Sequence, residues 1–193
     1  MKKSVLLLFV ILLGYNLASA QTRLGLRGSG QITSLSTADA ASRFGFKVGG
    51  MLSTPVSDKL YFQPAILLSL DGSKSADKYK PSYSASTYSV ETPLMFSIRG
   101  GDEDVSVGFD FGGFARYAFS GSYWTDSAEG RIKPDIFDLH KRFNFGPQVG
   151  FSVMVGSLYL GSSFQYGVIK PWSGKRGGSY SYGVNIGYLF EIY

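Results

Sequence analysis

The stretch Ser179–Tyr193, SYSYGVNIGYLFEIY, carries the pattern on which the fold prediction for the whole chain depends. Its large apolar and aromatic residues fall on one face: Tyr180, Tyr182, Val184, Ile186, Tyr188, Phe190 and Ile192. The other face is small and polar apart from Leu189, with Ser181, Gly183, Asn185, Gly187 and Glu191. A period of two indicates a β-strand. An aromatic-tipped apolar face backed by a polar, glycine-rich face is typical of a strand between lipid and a barrel lumen.

Seven further segments repeat this alternation, at about residues 22–33, 43–53, 60–70, 87–98, 105–119, 143–155 and 158–168. Glycine makes up 25 of the 193 residues, well above its average share of roughly 7%. Glycine suits the crowded inner side of a barrel wall, and aromatic residues suit the membrane interfaces. The sequence therefore predicts an all-β fold, an eight-stranded antiparallel up-and-down transmembrane β-barrel.

The charged residues within these segments share one property, which is that each falls on the non-apolar face of its strand. They are Arg23, Arg27, Arg43, Lys47, Glu91, Asp110, Arg116 and Glu191. A lipid-facing Arg or Lys costs roughly 2–4 kcal/mol at the bilayer midplane, which explains the bias. A soluble ligand-holding barrel of the lipocalin kind would need an apolar lumen and a polar outside, and here the two faces are reversed.

The links between the predicted strands alternate in length. Those at 54–59, 99–104 and 156–157 are short, whereas the others are longer and polar. This alternation is typical of an outer-membrane barrel with short periplasmic turns, longer extracellular loops and, for an even strand number, both termini in the periplasm.

Residues 1–20 have the features of a signal peptide. Lys2 and Lys3 form a basic start, an apolar run too short to span a bilayer follows, and Ala18-Ser19-Ala20 has the form of a cleavage site. We therefore expect a mature barrel domain at 21–193. The chain contains no cysteine, which excludes a lipid-modified N-terminal cysteine, disulfides and thiolate metal sites. Lys and Arg are dispersed, so no nucleic-acid partner is expected, and no cofactor is indicated.

The order of short motifs from Arg43 onward resembles the PorT-like outer-membrane β-barrel domain family of Bacteroidetes-type bacteria. The resembling residues are FGFKVG at 44–49, LYFQP at 60–64, SLDG at 69–72, VETPL at 90–94, FGPQVG at 145–150 and GYLF at 187–190. Thr92 departs from the Leu-Glu-Ile-Pro-Leu that is usual in the family's fourth strand. The resemblance implies an outer-membrane location and a transmembrane barrel, but no particular activity.

An eight-stranded barrel has an interior that side chains just fill. We therefore expect the inward charges Arg23, Arg27, Lys47, Glu91, Asp110, Arg116 and Glu191 to form structural ion pairs in a polar lumen. Glu91 and Asp110 are predicted at similar depth with Arg27 and Lys47 as their cations, and Arg23 is predicted near Glu191. A narrow ion or proton path is the alternative. Bulges are expected at three prolines within strands: Pro64, Pro93 and Pro147.

Three function classes follow from these features. We favour a structural or interaction barrel that presents extracellular loops and is not an enzyme. The alternatives are a narrow transport or secretion-associated component, whose secretion partner is unknown, and a lipid A-modifying enzyme using His140 with Ser120, Asp135 or Asp138, although no spacing links these into a triad. Expected partners are outer-membrane lipids, lipopolysaccharide near Lys74, Lys78 and Lys80, and the barrel-insertion machinery, for which the final Tyr193 suits an assembly signal.

Overall fold

The computed structural model describes residues 22–35, 40–75, 83–102, 104–127, 130–132, 135–139, 141–170 and 178–192. Eight long strands form the wall: β1 (Arg23–Leu35), β3 (Arg43–Pro55), β4 (Leu60–Ser75), β5 (Tyr83–Gly101), β6 (Val105–Ser127), β8 (Phe143–Val155), β9 (Leu158–Gly167) and β10 (Ser179–Glu191). Three short elements accompany them: β2 (Ala40–Ala41), β7 (Gly130–Ile132) and helix α1 (Ile136–Leu139). The signal-peptide prediction for residues 1–20 lies outside the described residues.

The sheet is antiparallel and closes on itself. Each long strand pairs with the next along the chain, and β10 returns to β1 with Arg23 opposite Glu191 and Leu35 opposite Ser179. β2 extends β4 and β7 extends β6. The prediction of an eight-stranded up-and-down barrel is therefore confirmed. Within the described ranges, no helix has the length and apolar character needed to cross a membrane.

The two ends of the barrel differ. The short connections β3–β4, β5–β6 and β8–β9 lie at one end, called here the turn end, together with Thr22 and Ile192. Two turns there use glycine with positive φ, at Gly101 (124°) and Gly156 (56°), a region that residues with a Cβ rarely occupy. The opposite, loop end carries the longer connections, β2, β7 and α1.

The strands around the β4–β5–β6 hairpins are longer than predicted. β4 runs on to Ser75, β5 begins at Tyr83 and β6 continues to Ser127. Residues such as Lys74, Ser86 and Ser122 replace the large apolar ones in these extensions. The alternation therefore fades there, whereas the backbone ladder, which does not depend on side-chain polarity, continues between the strands.

The outer face of the barrel is apolar, with aromatic residues towards both ends. Alternation is regular in β10, where Ser181, Gly183 and Asn185 are buried while Tyr182 and Val184 are exposed. A ring-to-ring row towards the turn end crosses β4, β5, β6 and β8 and consists of Phe62, Phe96, Phe111, Phe109 and Phe151. Exposed aromatic residues towards the loop end include Phe44, Tyr88, Tyr117, Phe119, Phe143 and Tyr182. Two such girdles flank the apolar band of outer-membrane barrels.

The expectation of bulges at Pro64, Pro93 and Pro147 is wrong. Each proline keeps a partner in one neighbouring strand without a change of register: Leu94, Phe114 and Gly113, respectively. The ladder with the other neighbour is interrupted beside each of them. Because a strand residue directs its N–H towards only one neighbour, proline removes a bond from one ladder and spares the other. The β5–β6 register shift lies instead between Tyr88 and Ser89.

The lumen is filled, but it is not polar throughout. An apolar cluster crosses its turn-side half and consists of Met51, Ala65, Leu67, Met154, Tyr159 and Leu189. Leu189, the apolar exception on the polar face of the last strand, is 0% exposed within this cluster. The predicted polar filling therefore holds for one part of the lumen, while apolar side chains close another part.

Candidate functional site in the lumen

Glu91 is the centre of a buried ion-pair network at mid-barrel. β5 directs its side chain into the lumen, where it is 0% exposed. Lys47 Nζ on β3 donates to Glu91 Oε1 at 2.7 Å, and Arg116 on β6 donates to Oε2 through Nε at 2.7 Å and through Nη2. Two cations from two strands therefore hold one carboxylate.

Gln165 on β9 joins this network to the far wall of the barrel. Its amide nitrogen donates to Glu91 Oε1 at 2.7 Å and to Gln148 Oε1 at 2.8 Å. Its oxygen accepts from Lys47 at 2.7 Å, from Arg116 at 2.9 Å and from Ser181 at 2.9 Å. Bonds from several strands thus meet on one amide, which ties the two sides of the barrel together.

Asp71 balances the second cation. Arg116 Nη1 lies 3.1 Å from Asp71 Oδ1. The same carboxylate accepts hydrogen bonds from Gln31 Nε2 at 2.7 Å and from Ser69 Oγ at 2.6 Å. Lys47 and Arg116 with Glu91 and Asp71 form a cluster without net charge, which is the form in which buried charges are tolerated.

Asp110 lies apart from this cluster, so its predicted common depth with Glu91 is wrong. Glu91 faces Arg116 across the β5–β6 hairpin, whereas Asp110 faces Ser97, six positions nearer the turn. Six residues amount to roughly 20 Å along a strand. The two depths differ because β5 continues to Gly101, which shifts the hairpin register beyond the one that the predicted link implied.

The cations near Asp110 are not held by carboxylates in contact. Asp110 accepts hydrogen bonds from Ser152 Oγ at 3.0 Å and from Tyr159 OH at 3.4 Å. Arg27 donates to Asn185 Oδ1 at 2.8 Å, and its guanidinium lies 5.6 Å from the Tyr159 ring centre. The expected pairing of Arg27 with a buried acid is therefore wrong.

A separate ion pair lies at the turn end. Arg23 Nη2 donates to Glu191 Oε1 at 2.8 Å, and Arg23 Nη1 donates to the Gly156 carbonyl at 3.2 Å. The two side chains are 26% and 42% exposed. The barrel closure between β1 and β10 places them opposite each other.

Several lumen residues do not follow from the sequence prediction, mainly because the predicted strands are too short. The predicted strands end at Leu70 and Ile98, whereas Asp71 and Arg99 both lie on strands and are buried. The inward alternation of Ser69 and Ser97, continued by one residue beyond the predicted strand ends, identifies both. Gln31, Gln148 and Gln165 are also inward and buried, and a network predicted from charged residues alone does not include them.

Cavities lie on both sides of the network and differ in size. The loop-end cavity is about 60 Å³ and includes Asp71, Arg116 and Gln165 in its lining. The turn-end cavity is about 620 Å³ and includes Arg23, Arg99 and Glu191. A third cavity, deep in the lumen between Arg27, Asp110 and Gln148, is about 10 Å³, roughly the space of one water molecule.

The loop end carries a small apolar cap. Ile136 of α1 is 2% exposed and packs with Ala85 of β5, with Tyr123 and Phe137 against this cluster. Arg142 lies with its guanidinium 3.6 Å from the Phe137 ring centre. The cap therefore connects α1 to the wall above the ion-pair network.

Several residues named from the sequence lie outside the described residues: Lys78, Lys80, His140 and Tyr193. The described part of the chain contains no group of three or more His, Cys, Asp or Glu side chains able to hold a metal ion.

Residues 11–172 match the family described as "Outer membrane protein beta-barrel domain". Similar solved structures include OprG from Pseudomonas aeruginosa, with 11% identity, 90% of this chain and 97% of that chain covered and a TM-score of 0.49. Ail of Yersinia pestis has 10% identity, 88% and 97% coverage and a TM-score of 0.45. The outer membrane enzyme PagL has 10% identity, 84% and 98% coverage and a TM-score of 0.49.

No curated protein matches the chain in sequence. The family match extends over most of the chain, and the closed barrel with its apolar, aromatic-flanked outer face agrees with it. The protein is therefore an integral protein of the outer membrane and belongs to the outer membrane protein beta-barrel domain family.

Proposed function

We propose that this barrel is a structural or interaction protein with a closed lumen, and that its loop end presents the binding surface. The observation that carries the proposal is the neutral network of Lys47, Glu91, Asp71 and Arg116, which lies across the lumen between two cavities. The apolar cluster around Leu67 and Leu189 lies on its turn side. Water and ions therefore meet packed side chains from either direction.

The lumen charges support the proposal as structural elements. A buried carboxylate that accepts bonds from Lys47, Arg116 and Gln165 joins β5 to β3, β6 and β9. Removing one partner of a buried ion pair leaves the other uncompensated, which costs several kcal/mol. We propose that the network holds the barrel cross-section and does not carry ions.

Planar bilayer recordings test the closed lumen. Purified protein inserted at high and low salt should give no stable unitary current, because packed polar and apolar side chains lie between the loop-end and turn-end cavities, with a cavity of only about 10 Å³ among them. A channel-forming peptide added afterwards shows that the membranes respond. Reproducible unitary steps from the wild-type protein would favour the narrow transport alternative instead.

We propose that the chain is not an enzyme. Asp135, one of the acids suggested for a catalytic role, has a local task, since its Oδ1 accepts a hydrogen bond of 2.9 Å from the Phe137 N–H at the start of α1. Its carboxylate thus serves as a helix N-cap. Lipid A profiles of deletion and His140→Ala strains should match the wild-type profile. A lipid A species that disappears in both strains would establish the enzymatic alternative.

We also propose membership of the PorT-like branch, supported by the order of motifs from residue 44 to residue 190.

The domain organisation is also a proposal, with residues 1–20 removed as a signal peptide and residues 21–193 forming the barrel. The intact mass of the protein purified from outer membranes should equal that of residues 21–193. A mass that includes residues 1–20 would contradict the predicted cleavage. Lipopolysaccharide and the insertion machinery are the proposed partners, the former through loop-end lysines such as Lys74.

A further inference from the structure

The turn-end cavity has the size of a small-molecule site. Its volume of about 620 Å³ falls within the range of roughly 300–1,000 Å³ that is usual for ligand pockets. Its lining combines Arg99, Tyr61, Ser53 and Ser106 with residues of the turns, including Asp58 and Asp102. It is therefore a polar, concave space with both signs of charge.

Arg99 is the unusual residue of this lining. It is 8% exposed, and its guanidinium lies 4.2 Å from the Tyr61 ring centre. Nη2 donates to Ser53 Oγ at 3.2 Å, Nε has no acceptor, and Nη1 has none among the described residues. One face of the guanidinium is thus covered by an aromatic ring while part of its hydrogen-bonding capacity is unused.

No carboxylate of a described residue lies within 4.0 Å of Arg99. Asp110 attracts it electrostatically from a longer distance, but that carboxylate already accepts bonds from Ser152 and Tyr159. By contrast, Lys47, Arg23 and Arg116 each contact at least one carboxylate. Arg99 is therefore a buried cation beside an open cavity without a counter-ion in contact.

We infer that Arg99 and Tyr61 form a binding site for a small oxyanion, either a carboxylate or a phosphate, that enters from the turn end. A guanidinium fork matches the geometry of both groups, and Ser106 adds a hydroxyl to the same lining. Binding an anion compensates a cation that is otherwise buried without a contact partner.

Isothermal titration in a non-ionic detergent tests the site with two probes, sodium acetate and inorganic phosphate, at constant ionic strength. Wild-type protein should bind at least one probe saturably. Saturation by acetate alone assigns a carboxylate ligand, saturation by phosphate alone assigns a phosphate ligand, and saturation by both assigns a general oxyanion site.

Arg99→Gln should weaken binding by roughly 10- to 100-fold, as expected for loss of a charge-assisted hydrogen bond. Arg43→Gln is the matched control, because Arg43 lies at the loop end of β3, outside this cavity; it should leave the affinity within about threefold, less than 1 kcal/mol. Arg99→Lys retains the charge and serves if Arg99→Gln does not fold; it should weaken binding because lysine lacks the fork.

Two results would overturn the inference. The first is a wild-type protein that binds neither probe. The second is binding that persists unchanged in both Arg99 variants, since the anion would then occupy another site. The closed lumen proposed above is measured separately by conductance, so either proposal can fail without the other.

Discussion

Glu91 and Glu191 both pair with cations, but their surroundings differ. Glu91 is 0% exposed and accepts bonds from Lys47, Arg116 and Gln165, whereas the Glu191 side chain is 42% exposed beside Arg23. Solvent screens an exposed pair, so its net contribution is about 0–1 kcal/mol. In a buried network, no water is present to stabilise a charge whose partner has been removed.

Glu91→Gln should destabilise the barrel strongly. Glutamine keeps the shape but places an amide donor beside Lys47 or Arg116 and leaves the cluster with a net positive charge. We expect a loss of about 3–5 kcal/mol in the free energy of unfolding, measured by urea titration in lipid vesicles and by the heat-modified gel shift. Glu191→Gln is the matched control and should cost about 1 kcal/mol or less. Equal losses of stability in the two variants would contradict a structural role of the buried Glu91 network.

Two adjacent glycines of β3 differ in how much space a side chain would have, because one faces the lumen and the other faces outwards. Gly49 faces the lumen, and a Cβ built there would fall closer to the Ile66 carbonyl oxygen of β4 than real Cβ atoms come. Gly50 faces outwards, and its nearest neighbour would be the Gly25 carbonyl oxygen at 3.8 Å, an ordinary contact. Neither has positive φ. The requirement for glycine at 49 therefore arises from close approach of backbones.

Gly49→Ala should lower the free energy of unfolding by about 1–3 kcal/mol, the usual cost of overpacking against atoms that cannot move aside. Gly50→Ala should be neutral or slightly stabilising, because alanine restricts the unfolded chain. Urea titration of the two variants in vesicles measures both effects. The explanation fails if alanine is tolerated equally well at 49 and 50.

The whole molecule is organised by its contact with lipid. Exposed apolar residues such as Val48, Ile66 and Ile186 lie between the aromatic girdles, and the ionised network around Glu91 lies inside. This arrangement is opposite to that of a soluble barrel. It places the apolar surface in contact with lipid, where its exposure is not unfavourable. The cost of a charge on the outer face should therefore depend on its depth in the bilayer.

Ile186→Arg and Val105→Arg test this dependence. Ile186 lies mid-strand on β10 and is 57% exposed, whereas Val105 begins β6 at the turn end and is 49% exposed. The first variant should lose roughly 2–4 kcal/mol and the second about 0–1 kcal/mol. Folding equilibria in phospholipid vesicles give both values. A similar loss at the two positions would contradict the predicted membrane placement.

The orientation of the barrel is a further prediction, and the absence of native cysteine makes it easy to test. Ser122 lies in the loop-end extension of β6 and Ser57 in the β3–β4 turn, and both are exposed. A bulky polyethylene-glycol maleimide should label Ser122→Cys in intact cells, but Ser57→Cys only after the outer membrane is permeabilised. The reverse pattern would place the turn end outside.

Much of the architecture could be predicted from the sequence, because a period of two is a local property. The alternation from Tyr180 to Ile192 determined the strand, its inward and outward faces and the lipid-facing character of the wall, and its repetition determined the strand number. The loop-side strand ends were harder to predict. Beyond the lipid boundary polar residues occupy both faces of a strand, so the alternation disappears, as at Ser122. The errors at Asp71 and Arg99 have a different origin, because the alternation continues through both and the predicted strands end one residue before each of them.

Only the tertiary structure decided which charges meet. Register depends on turn geometry and on interruptions such as the one at Tyr88–Ser89, and an error of a few residues moves a side chain many ångströms along the barrel. Glu91 therefore meets Arg116 and not Asp110 at its depth, and Gln165 joins them from a strand distant in sequence. Local alternation determines whether each residue faces the lumen or the lipid, whereas the partner of each residue is determined by closure of the whole sheet.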